Sequence, residues 1–314
     1  MRIFHGIDVV EELPKRSSCA IGVFDGVHRG HRKIIEYAVR EARHHDLISL
    51  VVTFDPHPLA VVGTKAHPPL LTSLAHRLRL IGRLGVDACV VVHVTREFCD
   101  MEPEYFVDDV LVRKLRVARL YIGENFLFGR KRQGDAAFLE VLGKKYDFLV
   151  TGVALEKING QTISSSFVRK LIEQGEFEKA RQSLGRDIAI LGTVVSGAGR
   201  GHIMGFPTAN IDPHHEAIPP SGVYAVHIKY REKIFGGVVN IGTRPTFGST
   251  QEPVIEAHIF EFEGSLYGED LEIVFIEKLR DERPFPSKEM LFMQIQDDSN
   301  QAKKILAQYK IITQ

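Results

Sequence analysis

The first half of the chain alternates short apolar runs with segments of helical periodicity. Ile48–Phe54 is rich in Ile, Leu and Val without alternation, as in a parallel strand covered on both faces. Cys19–Val23 is an earlier strand, followed by apolar residues at helical spacing between Ile34 and Ala42. Further strands are predicted at Ala88–Val94, Arg119–Ile122 and Phe148–Val153, and further helices at Ser73–Leu84, Pro103–Lys114 and Ala136–Lys145. This order predicts a doubly wound, Rossmann-like α/β domain.

Closely spaced strands replace the alternation in the second half of the chain. The predicted strands are Ile188–Val195, Gly222–Tyr230, Ile234–Asn240, Val254–Phe260 and Leu271–Leu279. Helical spacing returns only from Ser287 to about Gln308. We therefore predict an antiparallel β-barrel closed by a C-terminal helix, with one domain at residues 1–184 and the other at residues 185–314.

Composition narrows the class of protein. The 314 residues are 44% hydrophobic, enough for two domains with cores of their own. Forty basic residues balance forty acidic ones, which removes any general attraction to nucleic acid or to an acidic membrane. Three cysteines without a CxxC spacing argue against a secreted disulfide scaffold, and no apolar stretch has the length of a signal peptide or a membrane span. We expect a cytoplasmic protein that binds neither nucleic acid nor membrane.

The string GVFDGVHRGH, Gly22–His31, lies where the first predicted strand meets a helix. Ligands of doubly wound sheets bind beyond the carboxyl ends of the strands, which is where this string falls. His28 and His31 are three apart at the helix start, so their side chains share one face beside the positive end of the helix dipole. Gly26 and Gly30 let the backbone approach a phosphate, and no lysine of the P-loop type follows. The alternative is a pair of solvated histidines.

The same string resembles the signature of the nucleotidylyltransferase superfamily, whose members attack the α-phosphorus of a nucleoside triphosphate and expel pyrophosphate. That chemistry depends on positioning and charge stabilisation more than on a covalent nucleophile. The resemblance implies that Gly22, Phe24 and Asp25 bind the nucleotide of ATP. It also implies that His28 and His31 donate hydrogen bonds to the phosphates as charge builds up.

A second phosphate-binding group is expected in the string ISSSFVR, Ile163–Arg169, at the start of another predicted helix. The superfamily resemblance implies Ser164 and Ser165 as hydroxyl donors and Arg169 as the cation. Either serine could equally serve as the N-cap of that helix, and capping is compatible with phosphate binding.

Two further strings narrow the resemblance, TFDPHP at Thr53–Pro58 and GENFLFGRKRQGD at Gly123–Asp135. With ISSSFVR they resemble the adenylyltransferase half of bacterial bifunctional riboflavin kinase/FAD synthetases. The resemblance implies FMN as the acceptor, with a nucleotide and flavin site shaped by Asn125, Phe126 and Phe128. Without it, the two phenylalanines could be core residues. The family commonly has Thr-Arg where Ser166-Phe167 stand here, so the phosphate contact of that arginine is missing.

The string GAGRGHIMGFPTAN, Gly197–Asn210, is the second glycine-rich motif. Thr208 and Asn210 are two apart, so their oxygens lie on the same side of a strand. A hydroxyl and an amide oxygen at that spacing suit Mg²⁺ held together with phosphate oxygens of ATP, and Gly199 and Gly201 are expected to bind the nucleotide. The alternative is a hairpin turn before a strand.

Four strings around this motif resemble riboflavin kinase: GFPTANI, SGVYAVHI, NIGTRPTF and IEAHIFEFEGSLYGEDLEI, with LFMQIQDD closing the match. The resemblance implies that Glu256 is the general base. In Val254–Phe260 the alternate positions Ile255, Ala257 and Ile259 form one face and leave Glu256 and His258 on the other. An exposed strand glutamate is the alternative, and His258 is expected to be structural. Flavin contacts are expected from Arg280, Glu282 and Phe285.

The two halves together predict a bifunctional enzyme of flavin cofactor synthesis. The second half would make FMN from riboflavin and ATP, and the first would adenylylate FMN to FAD, each with Mg²⁺. One alternative is another transferase with the HxGH string, such as a cytidylyltransferase or a pantetheine adenylyltransferase, although the kinase-like half and the FLFG turn argue against it. Another is a non-enzymatic flavin-binding regulator, against which the intact candidate residues speak.

Overall fold

The structure is a computed structural model that describes residues 1–8, 10, 13–63, 69–196, 206–214, 217–244 and 252–312. Contacts divide the chain into two compact units. The first unit consists mainly of Met1–Pro68 and Arg77–Ser165, and the second of Pro69–His76 and Ser166–Thr313. Within the described residues, no helix combines the length and the apolar character needed to cross a bilayer.

A six-stranded parallel sheet forms the centre of the first unit. Its strands are β1 (Arg2–His5), β2 (Ser17–Ile21), β3 (Ile48–Asp55), β4 (Ala88–His93), β5 (Val117–Gly123) and β6 (Leu149–Val153). Their order across the sheet is β1-β4-β3-β2-β5-β6, and every neighbouring pair is parallel. The chain therefore winds to one side from β2 through β3 and β4, and to the other through β5 and β6. The switch point between β2 and β5 is where such sheets bind ligands.

Helices and one short hairpin connect these strands and lead on to the second unit. The helices are α1 (Arg29–His44), α2 (Pro58–Val62), α3 (Leu74–Arg83), α4 (Arg96–Cys99), α5 (Pro103–Tyr105, continued by a π-helical segment at Phe106–Lys114), α6 (Ala136–Tyr146), α7 (Ser165–Glu173) and α8 (Phe177–Leu184). The hairpin is β7 (Lys157–Ile158) with β8 (Gln161–Thr162). Helix α1 buries one stripe, from Ile34 to Ala42, and makes many of its contacts with β2, β3 and β5.

A closed antiparallel barrel forms the second unit. Its strands are β9 (Ile188–Val195), β10 (Ala209–Pro213), β11 (Gly222–Tyr230), β12 (Lys233–Arg244), β13 (Glu252–Ile259) and β14 (Asp270–Arg280), closed in the order β10-β13-β12-β11-β14-β9. Helix α9 (Lys288–Gln308) begins at the N-cap Ser287, whose Oγ accepts a hydrogen bond from the Met290 amide. Ala302 and Leu306 of α9 pack against the outer face of the barrel.

The predicted fold class is confirmed in both halves. The prediction missed β1, a four-residue edge strand with only Phe4 buried, because so short and exposed a strand leaves no apolar run. It also missed α8 and did not count β10 among the strands, although it placed Asn210 on one. The domain boundary after residue 184 stays a prediction.

Candidate active sites

The loop that follows β2 has an unusual backbone. Around a short 3-10 turn at Asp25–Val27, the φ angles of Phe24, Gly26 and Val27 are positive, at 53°, 77° and 38°. That conformation is strained for a β-branched residue such as Val27, and it persists only where the surroundings fix it. Gly22 is required too, because a Cβ there would lie 2.9 Å from the Phe24 ring.

Side chains from three other parts of the first unit hold this loop by its carbonyl groups. Thr53 Oγ1 donates to the Val23 carbonyl at 2.9 Å, and Arg77 Nη1 donates to the same oxygen at 2.7 Å. Ser165 Oγ donates to the Asp25 carbonyl at 3.0 Å. The hydroxyl of the ISSSFVR string is thereby brought against the loop that carries the histidines.

His28 and His31 form a stacked pair at the start of α1. Their ring centroids lie 3.6 Å apart with 20° between the planes, and the ring of Phe24 meets His31 edge-on at 5.4 Å. His28 is the N-cap of α1, and its Nδ1 accepts a hydrogen bond from the His31 amide at 3.4 Å. Because Nδ1 accepts, a neutral His28 ring would carry its proton on Nε2, which is then a donor.

The His31 ring is poised to remain neutral. Burial lowers its pKa well below the usual value, and the neighbouring His28 and Arg77 lower it further. The buried Nδ1 of His31 has no hydrogen-bond partner among the described residues. The His28–His31 pair beside the N-terminal amides of α1, with His31 neutral, makes a site suited to an anionic ligand.

The turn after β5 holds Asn125, Phe126 and Phe128. Asn125 is exposed, and its Oδ1 lies so close to Gly123 that a Cβ there would be 3.3 Å from it. Phe128 belongs to the core, where its ring contacts Phe106, Phe126 and Phe138. Phe128 thus anchors the turn after β5 to the core of the first unit. Its role in flavin binding stays a prediction.

The rest of the ISSSFVR string lies at the start of α7. Ser164 directly precedes the helix, Phe167 is half-buried and Arg169 is buried. The phosphate contacts predicted for Ser164 and Arg169 stay predictions.

In the barrel unit, Glu256 lies on the outer face of β13 between two asparagines. Its directly opposed neighbours are Asn210 on β10 and Asn240 on β12, and all three are half-buried. Directly opposed residues point to the same face of an antiparallel sheet, with Cβ atoms about 4.5–5.5 Å apart. Burial of Ile255, Ala257 and Ile259 on the inner face matches the alternation expected from the sequence.

The segment before β10 is anchored by His258. The Nδ1 atom of His258 lies 2.9 Å from the Pro207 carbonyl oxygen, and its ring meets the Phe206 ring edge-on at 5.4 Å. Thr208 follows directly and is exposed, two residues before Asn210. His258 thus fixes the strand entry from which Thr208 and Asn210 project, in keeping with the structural role expected of it.

Of the expected flavin contacts, Arg280 makes a strong contact inside the protein. Its Nε and Nη2 donate to the carboxylate of the buried Asp298 on α9 at 2.9–3.1 Å. Its guanidinium also lies 5.4 Å from the centre of the Phe285 ring. Glu282 lies so close to Gly242 that a Cβ there would be 2.4 Å from its carboxylate. Flavin binding by these three residues stays a prediction.

Comparisons with known proteins cover both units. The family described as FAD synthetase matches residues 10–167, and the family described as riboflavin kinase matches residues 184–306. The bifunctional riboflavin kinase/FMN adenylyltransferase of Escherichia coli strain K12 is 36% identical over 97% of this chain and 97% of its own length. The chain belongs to the bifunctional riboflavin kinase/FMN adenylyltransferase family. It is an enzyme of flavin cofactor synthesis, as the sequence predicts.

Other relatives extend the likeness. The bifunctional riboflavin kinase/FMN adenylyltransferase of Bacillus subtilis strain 168 is 34% identical over 96% of both chains. A solved structure described as a macrolide-efflux protein from Streptococcus pneumoniae aligns with a TM-score of 0.82 at 26% identity, over 96% of this chain and 99% of that chain. Matches to both domains set aside the alternatives of another HxGH transferase and a non-enzymatic regulator.

Gly199 and Gly201, predicted to bind the nucleotide, lie outside the described residues.

Asn240 and Arg77 lie at the two candidate sites without having been predicted there from the sequence. From the sequence, Asn240 is only the first residue of the NIGTRPTF string. Its position opposite Glu256 depends on the register between β12 and β13, which the sequence does not specify. Arg77, which holds the FAD synthetase loop, could have been suspected as an arginine among the apolar positions of α3.

Proposed function

We propose that Glu256 is the active-site base with which the riboflavin kinase domain phosphorylates riboflavin. We propose likewise that His28 and His31 belong to the active site in which the FAD synthetase domain adenylylates FMN. ATP is the donor in both reactions. The observation that supports this proposal is the presence of two polar constellations of different chemistry, one in each unit. The stacked histidines lie at the switch point of the parallel sheet. The carboxylate lies between two amides on the barrel.

Adenylyl transfer needs donors more than a nucleophile from the protein. A phosphate oxygen of FMN attacks the α-phosphorus of ATP, and the bond from that phosphorus to the bridging oxygen breaks to release pyrophosphate. Negative charge grows on the departing pyrophosphate. His28 Nε2, His31 and the first amides of α1 donate to these oxygens in this proposal, and the fixed loop spares them reorganisation during the reaction.

Phosphoryl transfer needs a base. Glu256 takes the proton of the ribityl 5′-hydroxyl as its oxygen attacks the γ-phosphorus of ATP, and ADP leaves. Asn210 and Asn240, opposed to Glu256 in the sheet, orient the carboxylate and the hydroxyl. The half-buried outer face keeps the carboxylate accessible to substrate.

The residues of the kinase domain fit Mg²⁺. Thr208 and Asn210 offer a hydroxyl and an amide oxygen, which are hard ligands suited to this ion. Within the described residues no cluster of three His, Cys, Asp or Glu side chains could hold a metal. In this proposal, Mg²⁺ at Thr208 and Asn210 binds together with the phosphates of ATP. When bound, Mg²⁺ neutralises charge on the transferred phosphoryl group.

A matched pair of variants tests the assignment. Glu256→Gln should lower riboflavin kinase turnover by about 10²–10⁴, the usual contribution of a positioned base, and leave FMN adenylylation intact. His28→Ala should lower FAD formation by about 10²–10³ while FMN still accumulates. Flavins from riboflavin, ATP and Mg²⁺ are separated by chromatography.

Exposed residues of the same types serve as controls. Glu277→Gln on β14 and His44→Ala at the far end of α1 should leave both activities unchanged. Loss of both activities in either test variant would contradict separate sites, and an unchanged rate in both would contradict the residue assignment.

A further inference from the structure

Arg77 is a cation at a core position of the FAD synthetase domain. Arg77 is 1% exposed, and Leu80 and Ile81, about one turn further along α3, are also fully buried. An arginine is almost never fully buried unless its guanidinium is paired. Packing alone does not explain a charge at this position.

The contacts of Arg77 connect two loops of the adenylyl transfer site. Nη1 donates to the Val23 carbonyl at 2.7 Å and to the Phe54 carbonyl at 3.2 Å. Val23 follows the end of β2, where the loop that carries His28 begins. Phe54 is near the end of β3 and belongs to the TFDPHP string. The guanidinium therefore joins the carboxyl ends of neighbouring strands at the switch-point edge of the sheet.

The charge of Arg77 interacts with two acidic groups and with His31. Nη2 lies 3.5 Å from Asp55 Oδ1, and the buried Asp25 also interacts with it. Burial lowers the pKa of Arg77, and the two aspartates act against that effect. Burial is the largest cause of the lowered pKa of His31. The charged or titratable groups that lower this pKa further are His28, at the start of α1, and Arg77, on α3.

We propose that Arg77 is a positioning residue for adenylyl transfer, which fixes the His28–His31 loop at the ends of β2 and β3 and keeps a permanent positive charge near His31. The inference rests on the proposed function of the two histidines. Its two parts are separable, because one nitrogen of the planar guanidinium fork, Nη1, holds both the Val23 and the Phe54 carbonyls, whereas the charge acts on the ionisation of His31. With His31 neutral, the loop presents an oriented donor rather than a second buried cation.

Two substitutions separate the fork from the charge. Arg77→Lys keeps the charge without the planar fork, and Arg77→Met removes both. Arg79→Met changes an exposed arginine of the same helix and is the matched control. For each protein, kcat and KM for ATP in FMN adenylylation are measured across about pH 5.5 to 9, the range that spans histidine ionisation.

We expect Arg77→Lys to lower kcat/KM by roughly 10–100-fold, because a small displacement of catalytic groups has effects of that size, with the acid midpoint of the pH profile unchanged. Arg77→Met should lower kcat/KM by at least the same factor. Its acid midpoint should move to higher pH, because His31 loses the cation that holds its pKa down. Arg79→Met should match the wild type.

Wild-type kcat/KM in both Arg77 variants would overturn the proposal. A reduced rate in Arg77→Met with the wild-type acid midpoint would overturn the part that concerns the charge. Circular dichroism at each pH checks folding. Should Arg77→Met fail to fold, Arg77→Lys still tests the fork, and an NMR titration of the wild-type His31 ring tests the charge: a midpoint at or above about 6.5 overturns it.

His31→Ala distinguishes this inference from the proposed function. If His31→Ala abolishes FAD formation while both Arg77 variants behave as wild type, only the role of Arg77 fails. If His31→Ala forms FAD normally, the assignment of the site fails, whatever the Arg77 variants do.

Discussion

At the scale of residues, each candidate site combines side chains that the sequence brings together with others that only the fold brings together. His28 and His31 could be predicted as a pair, since residues three apart share a helix face, and their rings stack. Glu256 could be placed outside the barrel by alternation. Arg77 and Asn240 could not be placed beside them, because strand register and the packing of α3 depend on contacts distant in sequence.

A residue-scale prediction concerns Asn240. Asn240→Leu removes the amide opposite Glu256 and keeps a side chain of similar size. We expect the riboflavin kinase kcat to fall about tenfold, because loss of one hydrogen bond near the reacting groups costs about 1.4 kcal/mol. Steady-state assays with riboflavin measure it.

FMN adenylylation by the same protein is the internal control and should not change. Asn240→Ser, which retains a polar group, should recover part of the rate. A wild-type kcat and KM for riboflavin in Asn240→Leu would show that the asparagine only occupies the strand.

At the scale of elements, the apolar patterns predicted most strands and helices because buried runs and helical stripes are local signals. The patterns could not predict the hydrogen bonds that hold the segment after α9 against the barrel. The buried carboxylate of Asp187, just before β9, accepts hydrogen bonds from the Tyr309 hydroxyl at 2.6 Å and the Ile312 amide at 2.8 Å. Arg181 on α8 pairs with the same carboxylate, at 3.1 Å from Nε to Oδ1. One carboxylate thus joins α8, β9 and the segment after α9.

An element-scale prediction tests this fastening. Burial, followed by the hydrogen bond to Asp187, raises the pKa of Tyr309 to about 12, so its hydroxyl remains a donor. Tyr309→Phe removes that donor and should lower the free energy of unfolding by about 1 kcal/mol, since Asp187 keeps its other partners. The chain has no tryptophan, so urea unfolding is followed by far-UV circular dichroism together with loss of riboflavin kinase activity.

Tyr267→Phe is the matched control. Tyr267 belongs to the same unit and is 69% exposed, so its substitution should change stability by less than about 0.5 kcal/mol. Equal effects of the two substitutions would mean that the hydrogen bond to Asp187 does not stabilise the barrel.

At the scale of the whole molecule, the chain catalyses two reactions that share FMN as an intermediate. The change of pattern along the sequence predicted an α/β half and a barrel half, and both are confirmed. Glu256 and its two asparagines belong to one unit, whereas His28, His31, Arg77 and Ser165 belong to the other. Each of these sets lies within one unit, so we expect a substitution in one to leave the other set intact.

This separation predicts complementation between different molecules. A mixture of the Glu256→Gln and His28→Ala proteins, given riboflavin, ATP and Mg²⁺, should form FAD, although neither protein alone does so at a comparable rate. FMN made by the intact kinase of one protein must cross the solution to the intact histidines of the other. The lag before FAD appears, followed by chromatography, should therefore lengthen on dilution of both proteins. Accumulation of FMN without FAD in the mixture would mean that FMN reaches the second site only within one molecule, and would contradict two sites that act independently.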